Sequence, residues 1–223
     1  MRIHPLAIET ANEIMRGFGS NALEGRAADQ GISLPWLASM IATAGPGDHV
    51  DIGSLFGASA LTAALVKKKM GWSGVVYCVD PYESRTGKVA MPRTMDPAIF
   101  EGNPEALLRN AEKLGVELKL IQKSSDPWPD ELKDSIFASA YIDGCHVDGI
   151  PKKDFLSLRG RVTGYIGWDN YEESVPEVMS AANYSFSDEC PDWSLFYKNY
   201  IFLAIRRSID SVMRNVPDHR VLS

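Results

Sequence analysis

The sequence predicts an α/β fold on a doubly wound, mostly parallel sheet. Three observations carry that prediction. Apolar strand-like runs alternate with helical patterns through most of the 223 residues. Four of those runs end in an aspartate: Asp51, Asp80, Asp143 and Asp169. Near the C-terminus the alternation stops, and two strand-like pieces follow each other, Asn183 to Ser187 and Tyr197 to Ile205. Alternation implies parallel strands joined by helices on both faces, and a closing strand pair implies an antiparallel edge.

Residues 6–18 place Ala7, Ala11, Ile14, Met15 and Phe18 on one helical face, and Gly17, Gly19 and Ser20 end that helix. Residues 20–32 are polar and read as a loop. Ser33 caps a second helix, with Pro35 in its first turn and Trp36, Leu37, Met40 and Ile41 on its buried side. Gly45-Pro46-Gly47-Asp48 turns the chain into a first strand at 49–52. A glycine loop and a helix to Met70 follow. After the turn at Gly71 to Gly74, Val75 to Val79 is a second strand, apolar throughout as in a sheet covered on both faces. Residues 81–102 have no regular pattern, and a loop of that length reads as a lid or binding loop. Asn103-Pro104 opens a helix bearing Leu107, Leu108, Ala111 and Leu114, stopped by Gly115. Glu117 to Ile121 and Ile136 to Ile142 are the third and fourth strands, with the polar loop Gln122 to Pro129 after the third. Residues 147–158 form a helix with Ile150 and Phe155 inward, Thr163 to Trp168 is the fifth strand, and Pro176 to Ala182 the next helix.

The chain reads as a single domain over 1–223: N-terminal helices at 1–44, the core at 45–206 and a polar tail at 207–223. Hydrophobic residues make up 45%, enough for one sizeable core. The net charge of −6 argues against wrapping a nucleic-acid backbone, so no nucleic-acid partner is expected. The basic run Lys67-Lys68-Lys69 sits at a helix C-terminus, where the dipole favours cations. The cysteines are Cys78, Cys145 and Cys190, an odd number without Cys-x-x-Cys spacing, which fits a reducing cytoplasm rather than a disulfide frame or a zinc site. No apolar run reaches membrane length, and the N-terminus lacks a signal-peptide pattern. Homo-oligomerisation is left open.

In an open parallel sheet, ligands bind beyond the carboxyl ends of the strands. Val50 to Ala60 supplies an acid, Asp51, then Gly53, Ser54 and Gly57, then a helix start with free N–H groups. The two glycines lack a Cβ that would hold a ligand away from the backbone. Neither phosphate signature fits, since Gly-x-Gly-x-x-Gly and a Gly-Lys-Ser/Thr ending are both missing. The alternative is an ordinary strand-to-helix turn. Asp80 can accept from both hydroxyls of a ribose, as in nicotinamide enzymes too. Ser124-Ser125-Asp126 either reads an adenine amino group or is a simple turn. Asp143, Asp169 and Asn170 offer oxygen ligands of the kind hard cations such as Mg²⁺ prefer. His146, three residues past Asp143, either accepts a proton near neutral pH or is a satisfied structural histidine. His4, His49 and His219 read as structural. Trp168 reads as core, Tyr171 either as core or as a wall for a planar substrate, and Trp193, Phe196 and Tyr197 as packing on the sheet edge.

Val50 to Ala60, Val76 to Tyr82, Tyr141 to His146 through Asp154, and Gly164 to Tyr171 resemble class I S-adenosylmethionine-dependent methyltransferases. Within them the chain is similar to the group with Ile-Asp-Gly-x-His after strand four and to the metal-dependent catechol-type O-methyltransferases. The resemblance covers residues 45–175 and implies a Rossmann-like fold. It implies S-adenosylmethionine held by Asp51, Gly53, Ser54, Gly57, Asp80 and Ser125. It also implies a divalent cation, Mg²⁺, at Asp143, Asp169 and Asn170, and O-methylation of a small-molecule hydroxyl. Catechol-type enzymes carry a lysine base where this chain has His146, so His146 becomes the candidate catalytic residue. Two alternatives remain: a metal-independent methyltransferase with His146 as base, and a nicotinamide oxidoreductase.

Overall fold

The computed structural model describes residues 4–25, 33–82, 103–198 and 202–207. Seven strands form one sheet in the order β3-β2-β1-β4-β5-β7-β6. They are β1 (Asp48–Ile52), β2 (Val76–Val79), β3 (Lys119–Ile121), β4 (Phe137–Ile142), β5 (Val162–Trp168), β6 (Trp193–Lys198) and β7 (Phe202–Arg206). The first five run parallel, and β7 pairs antiparallel with both β5 and β6. This is the predicted architecture. Of the loop at 81–102, read as a lid, residues 83–102 lie outside the described residues, as do residues 208–223 of the tail at 207–223.

Strand order reverses at β1. β2 and β3 lie to one side and β4 and β5 to the other, so the loops after β1 and β4 diverge across a crevice. Helices α1 (Pro5–Gly19), α2 (Ser33–Ala44), α3 (Ala58–Met70) and α4 (Pro104–Leu114) cover one face of the sheet, together with Tyr141 and Tyr165. Helices α5 (Ile150–Leu158) and α6 (Pro176–Tyr184) cover the other, against Val50, Ile52, Ala140 and Ile142. Alternation along β4 sends Tyr141 to one core and its neighbours to the other, as a period of two requires. α3 is buried almost all round, from Ala58 to Lys67, because α1 and α2 lie over it.

Helix ends follow local chemistry. The Asn103 side chain accepts from the Ala106 amide at the start of α4, and Gly115 ends it in a left-handed turn. His4 does the same for α1 through Nδ1, accepting from Leu6. The basic run at the end of α3 has three separate uses. Lys67 is buried and donates to the Gly47 carbonyl, Lys68 donates to the Leu114 carbonyl at 2.9 Å, and Lys69 pairs with Glu9 and Glu13 at 2.9 and 2.6 Å.

Three expectations need correction. Asn183 to Ser187 is no strand: Asn183 and Tyr184 complete α6, and Ser185 and Ser187 close turns onto Ala182 and Tyr184. The expected strand Tyr197 to Ile205 is two antiparallel strands, β6 and β7, because the chain turns back between Lys198 and Phe202. α5 begins at Ile150 rather than 147, since Asp148 and Gly149 both adopt positive φ, which a helix does not allow. Trp193 packs at the sheet edge as expected, on the terminal strand β6, where it is fully buried with its ring 6.0 Å from Phe155.

Candidate active site

The carboxyl ends of β1, β2, β4 and β5 bring the four acids to one side of the sheet, in two groups. The first is the loop after β1. Asp51 is wholly buried; its Oδ2 accepts from the Ser59 hydroxyl of α3 at 2.9 Å, and Oδ1 has no hydrogen-bond partner. Burial pushes its carboxyl up to about 7. Ser54 is buried and donates to the Asp51 carbonyl at 3.2 Å. Asp80 clamps the loop, its Oδ2 accepting from the Leu55 amide at 2.9 Å and Oδ1 from the Tyr82 amide at 2.7 Å. Leu55 and Tyr82 both sit at positive φ, 48° and 53°, so the clamp holds two strained residues in place. A carboxylate has about four acceptor sites, and two amides leave Asp80 room for ribose hydroxyls. Burial raises its pKa, and the two amides oppose the rise.

The glycines are required for a reason the sequence did not show. A Cβ on Gly53 would fall deep inside the contact distance of the Asp143 carbonyl oxygen and 2.7 Å from the Gly144 Cα. A Cβ on Gly57 would strike Leu107 of α4. Both vacant directions face protein, so the missing side chains let β1 pack against the β4 loop and α3 against α4. Both residues also have positive φ, 84° and 92°.

The second group lies after β4 and β5. His146 Nε2 is 3.7 Å from Asp143 Oδ1. Burial lowers the His146 pKa, while Asp169 and Glu172 pull it upward. Asp169 is buried, and its Oδ1 has no hydrogen-bond partner. Burial and the nearby Asp143 charge push the Asp169 carboxyl up to about 8. Asn170 follows at φ 53°, in the left-handed region that Asn tolerates. Among the described residues no group of three or more His, Cys, Asp or Glu side chains is arranged to hold a metal ion. Tyr171 is core, its hydroxyl hydrogen-bonded with Asn183 Oδ1 at 2.8 Å, and Trp168 is fully buried. Ser125 is buried on the loop after β3.

Three residues that sequence reading passed over belong to these groups. Ser59 holds Asp51 from the first turn of α3. Tyr141 lies two residues before Asp143 on β4 and is electrostatically coupled to Asp169 and Asp143; that spacing of two was the available signal. Asp154 is fully buried on α5 among Ile150, Phe155 and Leu158, an acid in an apolar stripe at helical spacing.

The Asp51 shift makes stability depend on pH. Unfolded, this carboxyl titrates in the ordinary range near 4; folded, near 7. Between those values the folded state keeps a proton that the unfolded chain has released, so stability falls as pH rises through this window. The contribution is on the order of 4 kcal/mol. Denaturant titrations at pH 5 and pH 8 should show the loss, and Asp51→Asn should flatten it; an unchanged slope in the variant would assign the effect elsewhere.

The family described as methyltransferase domain matches residues 50–171, from β1 past the end of β5. No curated protein matches the chain at a significant level in sequence. Solved structures share the fold at low identity. The O-methyltransferase NovP superposes with a TM-score of 0.60 at 14% identity, covering 76% of this chain and 77% of its own. An O-methyltransferase of Bacillus cereus in complex with S-adenosylhomocysteine gives 0.56 at 15%, covering 89% and 91%. The O-methyltransferase TomG of Streptomyces achromogenes, in complex with S-adenosylmethionine, gives 0.54 at 14%, covering 89% of both chains. These likenesses establish the fold, and the family match removes the nicotinamide alternative. With the sheet order, the acid-tipped strands and more than half the chain matched, this protein belongs to the methyltransferase-domain family and is an S-adenosylmethionine-dependent methyltransferase of the class I fold.

Proposed function

We propose that this enzyme moves the methyl group of S-adenosylmethionine onto a hydroxyl oxygen of a small molecule. The cofactor would lie across the ends of β1 and β2, with Asp80 on the ribose, the loop Asp51–Gly57 beneath the amino-acid end, and Ser125 at the adenine. The observation that carries the acceptor side is the convergence of Asp143, His146 and Asp169 across the crevice from that loop. The O-methyltransferases named above support the same reading.

The residues after β4 and β5 suit a hard cation. Asp169 has an orphaned buried oxygen, Asp143 raises its proton affinity, and the donors are all oxygens. Asp143, Asp169 and Asn170 would hold Mg²⁺, which when bound lowers the pKa of an acceptor hydroxyl and fixes its position. His146, kept neutral by burial, accepts the hydroxyl proton, and Asp143 beside it stabilises the imidazolium. The acceptor oxygen then forms its bond to the methyl carbon as the carbon–sulfur bond breaks, leaving neutral S-adenosylhomocysteine. Alignment by the two halves of the site supplies most of the rate.

The His146–Asp143 contact also favours a second reading, in which the pair works as base and orienter without a metal. Assaying methyl transfer in EDTA and then restoring Mg²⁺ separates the two. The cation reading expects activity to fall at least tenfold in EDTA and to return with Mg²⁺; full activity in EDTA leaves the His146 reading alone. The three unpaired cysteines fit a reducing compartment such as the cytoplasm.

A further inference from the structure

The segment that leaves α1 takes no part in the mechanism above, yet three successive residues tie it to three elements. Leu23 is buried against α1; its amide donates to the Gly17 carbonyl at 2.9 Å, and a Cβ on Gly17 would stand 2.7 Å from Leu23 Cδ1. Glu24 is held by α4. Its amide donates to Asn110 Oδ1 and its carbonyl accepts from Asn110 Nδ2, both at 2.8 Å. Its carboxylate pairs with Arg109 at 2.7 Å and Lys113 at 3.3 Å. Gly25, at φ 100°, lies against Phe56: a Cβ there would overlap the ring and stand 2.6 Å from the Phe56 Cβ. Phe56 is the middle of the loop after β1. It lies between Leu55, whose amide goes to Asp80, and Gly57, which meets Leu107 of α4. The contacts close a ring, from α4 to Glu24, from Gly25 to Phe56, and from Gly57 back to α4.

Burial decides which member of this ring holds the segment. The Arg109 and Glu24 side chains are both exposed, and ion pairs of that kind contribute little. Asn110 is wholly buried, and both ends of its amide are used on the backbone of one residue. Removing it strips the Glu24 amide and carbonyl of their partners at once, and leaving such groups unpaired is costly. Leu55 sits in the left-handed region at φ 48°, a conformation that its surroundings must hold. We propose that Asn110 is a positioning residue for the cofactor: through the Glu24 backbone it seats Gly25 on Phe56 and presets the loop after β1 in its cofactor-holding shape. A loop already in that shape has less freedom to lose on binding, which raises affinity. The inference rests on the cofactor placement proposed above.

The test is calorimetric binding of S-adenosylhomocysteine to the full chain. A merely structural role lowers the binding stoichiometry, because fewer molecules are folded, and leaves Kd untouched. A positioning role raises Kd at full stoichiometry. Asn110→Ala should weaken binding at least about fivefold. Gly25→Ala, at an exposed position, pushes the segment off Phe56 with Asn110 intact, so it should do the same even if Asn110→Ala does not fold. Arg109→Gln removes only the exposed ion pair and should stay within about twofold. In a Phe56→Ala background Gly25 has nothing to seat on, so adding Gly25→Ala should change Kd by less than about twofold. If either folded variant, Asn110→Ala or Gly25→Ala, binds within twofold of wild type, the proposal is overturned while the cofactor placement stands. The same holds if Arg109→Gln costs as much as Asn110→Ala, or if Gly25→Ala costs as much without Phe56 as with it. If wild type does not bind S-adenosylhomocysteine, the cofactor placement falls and takes the proposal with it.

Discussion

Gly53→Ala is expected to lower the thermal midpoint by roughly 10 °C, the largest stability effect of any single methyl group in the site. Two costs add. An alanine at φ 84° is strained by about 1–2 kcal/mol. Its Cβ would also overlap the Asp143 carbonyl, which is backbone and fixed by a hydrogen bond from its own amide to the Ile52 carbonyl at 2.9 Å. Moving that backbone costs about 1–3 kcal/mol more. Gly57→Ala is the informative comparison: it meets the end of the Leu107 side chain, which can rotate away, so its cost should be smaller. Gly71→Ala, in the left-handed turn after α3 with open space at its Cβ, isolates the backbone term alone. Calorimetric scans of the three should rank Gly53 well above the others. A Gly53→Ala midpoint within 2 °C of Gly71→Ala would mean the β4 loop yields freely, contrary to the packing described. The same overlap pushes on Asp143, so a residual folded fraction should also have lost activity.

His146→Gln should reduce kcat by about 10²- to 10⁴-fold, the usual range for a lost acid–base group. Glutamine keeps the approximate size and a polar tip but cannot take the proton. The proposed mechanism puts this side chain on the acceptor side, away from the Asp80 clamp, so binding of S-adenosylhomocysteine should stay within about twofold. Steady-state kinetics and calorimetry on one preparation measure both quantities. A loss of kcat below tenfold removes His146 from proton transfer. A parallel loss of cofactor affinity would instead place it on the nucleoside side.

Much of this arrangement was legible in the chain. The run Phe137 to Ile142 is buried along its whole length, and in Val76 to Val79 all but the partly buried Tyr77 are buried, as interior parallel strands require. Aspartates at their ends had to reach a common edge once the strands were parallel. The C-terminal strands were harder. Asn183 to Ser187 reads as a short strand because period two and the last turn of a helix are indistinguishable over five residues. The reversal between Lys198 and Phe202 carries no glycine or proline to announce it.

The sequence by itself determined the sheet type and the acids at its edge, because periodicity and strand-end placement are local properties of the chain. Only the tertiary structure decided what the glycines are for and which acids are buried, Asp154 on α5 among them. Those depend on which loops meet across the reversal of strand order at β1, and residues 53 and 143 become neighbours only when β1 and β4 pair. Burial then sets the proton affinities of Asp51 and Asp169, a consequence of desolvation that no spacing along the chain encodes.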